Sequence, residues 1–148
     1  MNMLNFYKMT NILFICKYNR FRSKIAEAYF KNLIAEYDHE FKVKSAGIIK
    51  GHYPLDSTQK KIAKKFGIDI NNPPQGLSVE LLRWTDIIVI VADNVPPMLF
   101  RNQKRYGKRV IHWNIPDAHH TDIRGITNRI KMIKNHVDRL FKCLIRFD

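Results

Sequence analysis

A chain of 148 residues with two cysteines and a 45% apolar share can bury one core without disulfide or metal staples, and it is not an intrinsically disordered polymer. No apolar run approaches the roughly 18 residues of a membrane span, and Met1 to Thr10 lacks the basic, apolar and small-residue order of a signal peptide, so a cytoplasmic protein away from membranes is expected. The net charge of +13, from 26 Lys+Arg against 13 Asp+Glu, attracts anionic partners, but it is spread over both halves and reads first as a basic solvated surface.

In chain order, Asn11 to Cys16 is an apolar run of buried-strand length. Ser23 to Tyr37 repeats Ile25, Ala26, Tyr29, Phe30, Leu33 and Ile34 at helical spacing, with Lys24, Glu27, Lys31 and Glu36 expected to face out. Phe41 to Ser45 alternates as a second strand. Leu55 to Phe66 reads as a basic amphipathic helix, with Asp56 or Ser57 as cap and Gly67 as stop. After a turn at Asn71 to Gly76, Ser78 to Trp84 is a short helix and Asp86 to Ala92 an apolar strand. Pro96 opens a helix ending at Gly107, Arg109 to Trp113 is the fourth strand, and Thr121 to Ile145 is a long final helix. No repeat, linker or low-complexity tract divides the chain. Alternating strands and helices imply one α/β domain over 1–148, a three-layer unit with a four-stranded parallel sheet and helices on both faces. Ligands in such sheets bind at the carboxyl ends of the strands, here after Cys16, Ser45, Ala92 and Trp113.

Between the first strand and the first helix lies Cys16-Lys17-Tyr18-Asn19-Arg20-Phe21-Arg22-Ser23. A helix N-terminus presents unpaired backbone N–H groups and a positive partial charge, a natural anion site. That field and a nearby arginine favour the thiolate, the nucleophilic form of cysteine. Arg22 can grip two phosphate oxygens through its planar fork, Ser23 can donate to the sulfur, and Asn19 suits a tight loop. The plain alternative is an ordinary buried thiol at a strand end.

The stretch ILFICKYNRFRSKIAEAYF resembles the opening of the low-molecular-weight protein tyrosine phosphatase family, whose fold is shared with thioredoxin-coupled arsenate reductases. The resemblance continues through Val43 to Ile48, Phe66 to Ile70, the TDIIVIV strand and Trp113 to Asp117. It implies a phosphatase loop after the first strand, with Cys16 as nucleophile, Arg22 as phosphate ligand and Asp117 as general acid. Lys17, Tyr18, Asn19, Arg20, Phe21 and Ser23 would surround the substrate phosphate, with Ser45 in support. The implied reaction is hydrolysis of a phosphate monoester, protein phosphotyrosine or a related aryl phosphate, through a phosphocysteine, releasing inorganic phosphate and using neither cofactor nor metal. Asp117 also has its own logic, since it follows a strand end on the active rim and an expelled alkoxide or phenoxide needs a proton; Asp122 and Asp93 compete for the role.

The chain departs from the family at several points. Tyr18 stands for a usual Gly, Phe21 for a second loop cysteine, Lys17 and Arg20 for apolar wall residues, and Ala118, His119 and His120 for aromatics after the acid. One alternative is an arsenate reductase-like enzyme without the three-cysteine relay, since residues 92–97 hold no cysteine and Cys143 is expected to be a core thiol of the last helix. Another is a basic phosphoprotein- or nucleic-acid-binding module, although the lysines are dispersed and no nucleic-acid signature is present. A metal site from His112, His119 and His120 lacks ligand spacing.

Overall fold

Ile12 to Cys16 are five consecutive buried residues in β1 (Thr10–Cys16), and a strand buried on both faces belongs in the middle of a parallel sheet. In a computed structural model of the chain, residues 9–146 are described; the stretch Met1 to Lys8, read above as leaderless, lies outside them. Strand β1 pairs with β2 (Phe41–Gly47) on one side and β3 (Ile87–Val91) on the other, and β3 pairs with β4 (Arg109–Trp113). All pairings are parallel and the order is β2-β1-β3-β4. The period of two sends Ile12 and Phe14 to one face and Leu13 and Ile15 to the other.

On the first face pack α1 (Arg22–Tyr37), α2 (Ser57–Lys65) and α5 (Ile123–Ile145). Phe14 is fully buried there, its ring 6.0 Å from Phe30 and 5.8 Å from Trp113. Such a side chain contributes about 1.5–3 kcal/mol by burial. The second face is thinner, covered by α3 (Val79–Trp84) through Leu81 and by Phe100.

Several expectations shift. Of the two possible caps, Asp56 serves α2 by accepting from Gln59 N at 2.8 Å. The helix expected from Pro96 to Gly107 divides into a 3₁₀ turn, Pro97–Phe100, and a short α4, Arg101–Arg105, since adjacent prolines withhold two backbone donors. Lys24, expected to face out, is only 4% exposed, because the first turn of α1 is covered by the segment carrying Pro73, whose carbonyl accepts from Nζ at 3.2 Å. Cys143, expected in the core, is exposed. The buried stripe of α5 runs through Ile126, Ile130, Ile133, Val137, Leu140 and Phe141, and continuing it selects Leu144, not Cys143.

Candidate active site

Asn19 has φ of 55°, a left-handed conformation that asparagine tolerates. The backbone around it is held from outside: Ile48, Ile49 and Gly51 donate N–H bonds to the carbonyls of Cys16, Lys17 and Tyr18 at 3.1, 2.9 and 3.0 Å. In a trans peptide, the N–H points opposite its carbonyl, so the amides of Lys17, Tyr18 and Asn19 turn away from that strap, the arrangement that backbone nests have. Gly47 permits the close approach, since a Cβ there would lie 2.6 Å from the Tyr18 carbonyl carbon and 2.8 Å from Asn19 N.

Behind the loop runs a directed relay. Asn19 Oδ1 accepts from Gln75 N at 3.0 Å, which sets the amide, and Nδ2 donates to both Ser23 Oγ and Ser45 Oγ at 2.8 Å. Ser45 in turn donates to Glu27 Oε1 at 2.6 Å. Ser23 Oγ already accepts from Asn19, so its single proton is free for Cys16 Sγ, 3.0 Å away. The 2%-exposed Cys16 therefore sits at the closed end of a pocket of about 260 Å³, its sulfur facing a hydroxyl donor.

Arg22 crosses from this loop to the ends of β3 and β4. It is buried, donating from Nη1 to Ile115 O at 3.0 Å and from Nη2 to Asn94 Oδ1 at 3.1 Å. Asp93 Oδ1 lies 3.5 Å from Nη1 and Asp117 Oδ1 3.9 Å from Nε. Two of five N–H groups are thus engaged in these two hydrogen bonds, and Nε faces the Asp117 carboxylate. Of the three candidate acids only Asp117 lines the pocket; Asp122 caps α5 through Gly125 N at 2.9 Å and Asp93 stands against Arg22.

The expected loop residues divide by depth. Cys16, Tyr18, Arg20, Phe21 and Arg22 line the pocket with Asp117, Ala118, His119 and His120. Asn19, Ser23 and Ser45 are buried behind it, and Lys17 lies over the Tyr18 ring at 5.2 Å. Sequence reasoning missed Glu27, Gln75, Asn94, Asp56 and Gln59. Glu27 has a local signal, one helical turn after Ser23, and Asp56 has one as a helix cap; Gln75 and Asn94 arrive through distant segments. The histidines are used locally: His112 Nε2 lies 2.9 Å from Ala92 O and His119 Nδ1 2.7 Å from Thr121 Oγ1. Among the described residues, no group of three His, Cys, Asp or Glu is placed to hold a metal ion, and no helix is long and apolar enough to cross a membrane.

Burial holds the Lys24 ammonium below its usual range, partly offset by the nearby charges of Glu27 and Cys16. The unfolded chain then binds more protons than the folded one from that lowered value up to about 10.5, so this group makes stability rise with pH across that window. Lys24→Met is expected to remove the rise, at most about 1.4 kcal/mol per pH unit, in denaturant midpoints measured between pH 7 and 10. An unchanged slope would place the titration elsewhere.

Residues 11–146 match the family described as low molecular weight phosphotyrosine protein phosphatase. The chain is 33% identical over 110 residues to arsenate reductase 2 of Staphylococcus haemolyticus, covering 72% of this chain and 76% of that protein. Its fold is that of a YwlE mutant from Bacillus subtilis, with a TM-score of 0.80 at 21% identity over 91% of this chain and 98% of that one. It is equally similar to the low molecular weight protein tyrosine phosphatase of T. tengcongensis, with a TM-score of 0.79 at 21% identity over 90% and 98%.

Proposed function

Since the chain belongs to the low molecular weight phosphotyrosine protein phosphatase family, we propose that it hydrolyses phosphate monoesters, protein phosphotyrosine or a related aryl phosphate, through a phosphocysteine on Cys16. The observation that carries this reading is the relay ending on Cys16 Sγ at the floor of a pocket whose wall holds Asp117. Loop amides and Arg22 hold the phosphate oxygens. Cys16 Sγ attacks phosphorus, the ester P–O bond breaks, and Asp117 gives its proton to the departing oxygen. Asp117, now a carboxylate, takes a proton from water, whose oxygen attacks phosphorus and breaks the S–P bond. The Ser23 hydroxyl stabilises the sulfur as it leaves. The choice of phosphotyrosine rests on the family. The direct test is hydrolysis of nitrophenyl phosphate, with acid quench and mass measurement of phosphate on Cys16. Hydrolysis without that adduct would overturn the covalent route.

Arsenate reduction is the second reading, favoured by the identity to the staphylococcal reductase. A relay needs further thiols, yet Phe21 stands in the loop, residues 92–97 hold none, and Cys143 is exposed on α5. Arsenite formation with thioredoxin is expected to be absent; its appearance would reverse the order of the two readings.

Phe21 is 3% exposed in the same pocket as Cys16, where it offers no thiol to a sulfenic acid. Peroxide is therefore expected to drive Cys16 past sulfenic to sulfinic and sulfonic acids, an inactivation that dithiothreitol does not reverse and bound phosphate slows. Phe21→Cys should make it largely reversible. Full recovery of the oxidised wild type would sink this expectation.

A further inference from the structure

The last helix carries two stripes. The buried one faces the sheet, and the one opposite is a column of cations in solvent. Arg124, Lys131, Arg139, Lys142 and Arg146 are all exposed. Their steps of seven, eight, three and four residues return to one side of a helix with about 3.6 residues per turn. Asn128 and Asn135 stand in the same column and are exposed as well. The one acid on α5, Asp138, is half-buried and accepts from Tyr29 Oη at 2.6 Å, which draws it towards α1. Among the described residues no carboxylate pairs with any of the five cations. Like charges three and four apart on a helix repel each other, a repulsion that an anionic partner would relieve.

One end of the column adjoins the pocket. Helix α5 begins just after the wall residues His119 and His120. Asp122 N donates to His119 O at 2.9 Å and Arg129 Nε to Pro116 O at 3.0 Å, tying its first turns to the segment that bears Asp117. We propose that the column is a docking surface for an acidic polypeptide segment, carried by a phosphoprotein substrate whose phosphate sits at Cys16. The inference rests on the phosphatase reading and names its substrate class. From Arg124 to Arg146 the column runs about 33 Å, which about ten extended residues span. A second copy of a chain with a net charge of +13 would be repelled. The column holds no aromatic or apolar side chain, so it offers no stacking platform for bases and no anchor for a lipid surface. Its asparagines can pair with both the N–H and the C=O of a peptide, whereas a phosphate backbone only accepts. Each exposed ion pair is weak, but several act together.

The test uses phosphotyrosine peptides with a run of Asp on one or the other side of the phosphotyrosine, each beside its Asn counterpart. Nitrophenyl phosphate, too small to touch α5, is the control. At low salt kcat/KM should favour the Asp peptide on at least one side by about tenfold, and the preference should fade by about 1 M salt. Arg124→Gln, Lys131→Gln, Arg139→Gln and Lys142→Gln together should bring the ratio near one and leave nitrophenyl phosphate hydrolysis unchanged. Fluorescence anisotropy of the same peptides with Cys16→Ser reads docking without turnover. The same preference is expected there in Kd, and it should be lost on adding the four substitutions. Such binding without hydrolysis by the wild type would overturn the phosphatase reading and support the docking surface. Ratios near one at low salt with equal Kd values, or a preference surviving the four substitutions, would overturn the docking surface. Duplex DNA held more tightly than the Asp peptides, and released by the four substitutions, would assign the column to nucleic acid and overturn it as well.

Discussion

Cys16→Ser is expected to lose turnover by at least about ten-thousand-fold and still bind phosphate or vanadate. A serine hydroxyl at the floor of the pocket has no adjacent base: Ser23 is a donor there, and the other members of the relay are committed to one another. Oxyanion binding depends on different groups, the turned-in amides of Lys17 to Asn19 and the Arg22 guanidinium. Those are fixed by Ile48, Ile49, Gly51, Ile115 and Asn94, none of which the substitution touches. Titration calorimetry with phosphate beside a nitrophenyl phosphate assay separates the two properties. Wild-type turnover in the variant would remove Cys16 from the chemistry, and loss of both properties would mean that the loop had collapsed.

Asp117→Ala should slow phosphotyrosine and alkyl phosphates by about 10²- to 10⁴-fold and nitrophenyl phosphate much less, because nitrophenolate leaves without a proton. Asp117 Oδ1 also accepts from Ala118 N at 2.9 Å and stands 3.9 Å from Arg22 Nε, so Asp117→Ala removes two contacts along with the acid. Asp117→Asn keeps a side-chain oxygen for the Ala118 amide while removing the acid. It should therefore show the same dependence on the leaving group as Asp117→Ala. Equal slowing of good and poor leaving groups would assign Asp117 to positioning Arg22.

The strands and the loop were legible because each is a local pattern: an apolar run into Cys16, then Arg22 and a helical repeat. Alternation of strand and helix gave the parallel sheet. What stayed hidden depends on contacts between distant segments. Asn94 and Ile115 reach Arg22 only because β3 lies beside β1 and β4 beside β3, an order that periodicity does not contain. Gln75 meets Asn19 because the turn that carries it is tied to the end of β2, with Gly47 N donating to Gln75 O at 2.9 Å. Lys24 defeated the rule that lysines face water, its ammonium finding a carbonyl under the loop. Cys143 has apolar neighbours in sequence, but the helical phase of α5 turns it to solvent.

The two halves of the site hang from unequal supports. Cys16, Ser23, Asn19, Ser45 and Glu27 sit on or between β1, α1 and β2, and β1 is flanked on both sides. Ile115 and Asp117 follow β4, an edge strand that among the described residues pairs only with β3 and is well buried only at Trp113. Edges and their loops belong to the part of a fold that opens at low free-energy cost, before the global transition. In mild urea, hydrolysis should therefore fade first, phosphate binding next and ellipticity last, leaving an intermediate population that captures the oxyanion without processing it. Amide exchange would place that opening in residues 109–117.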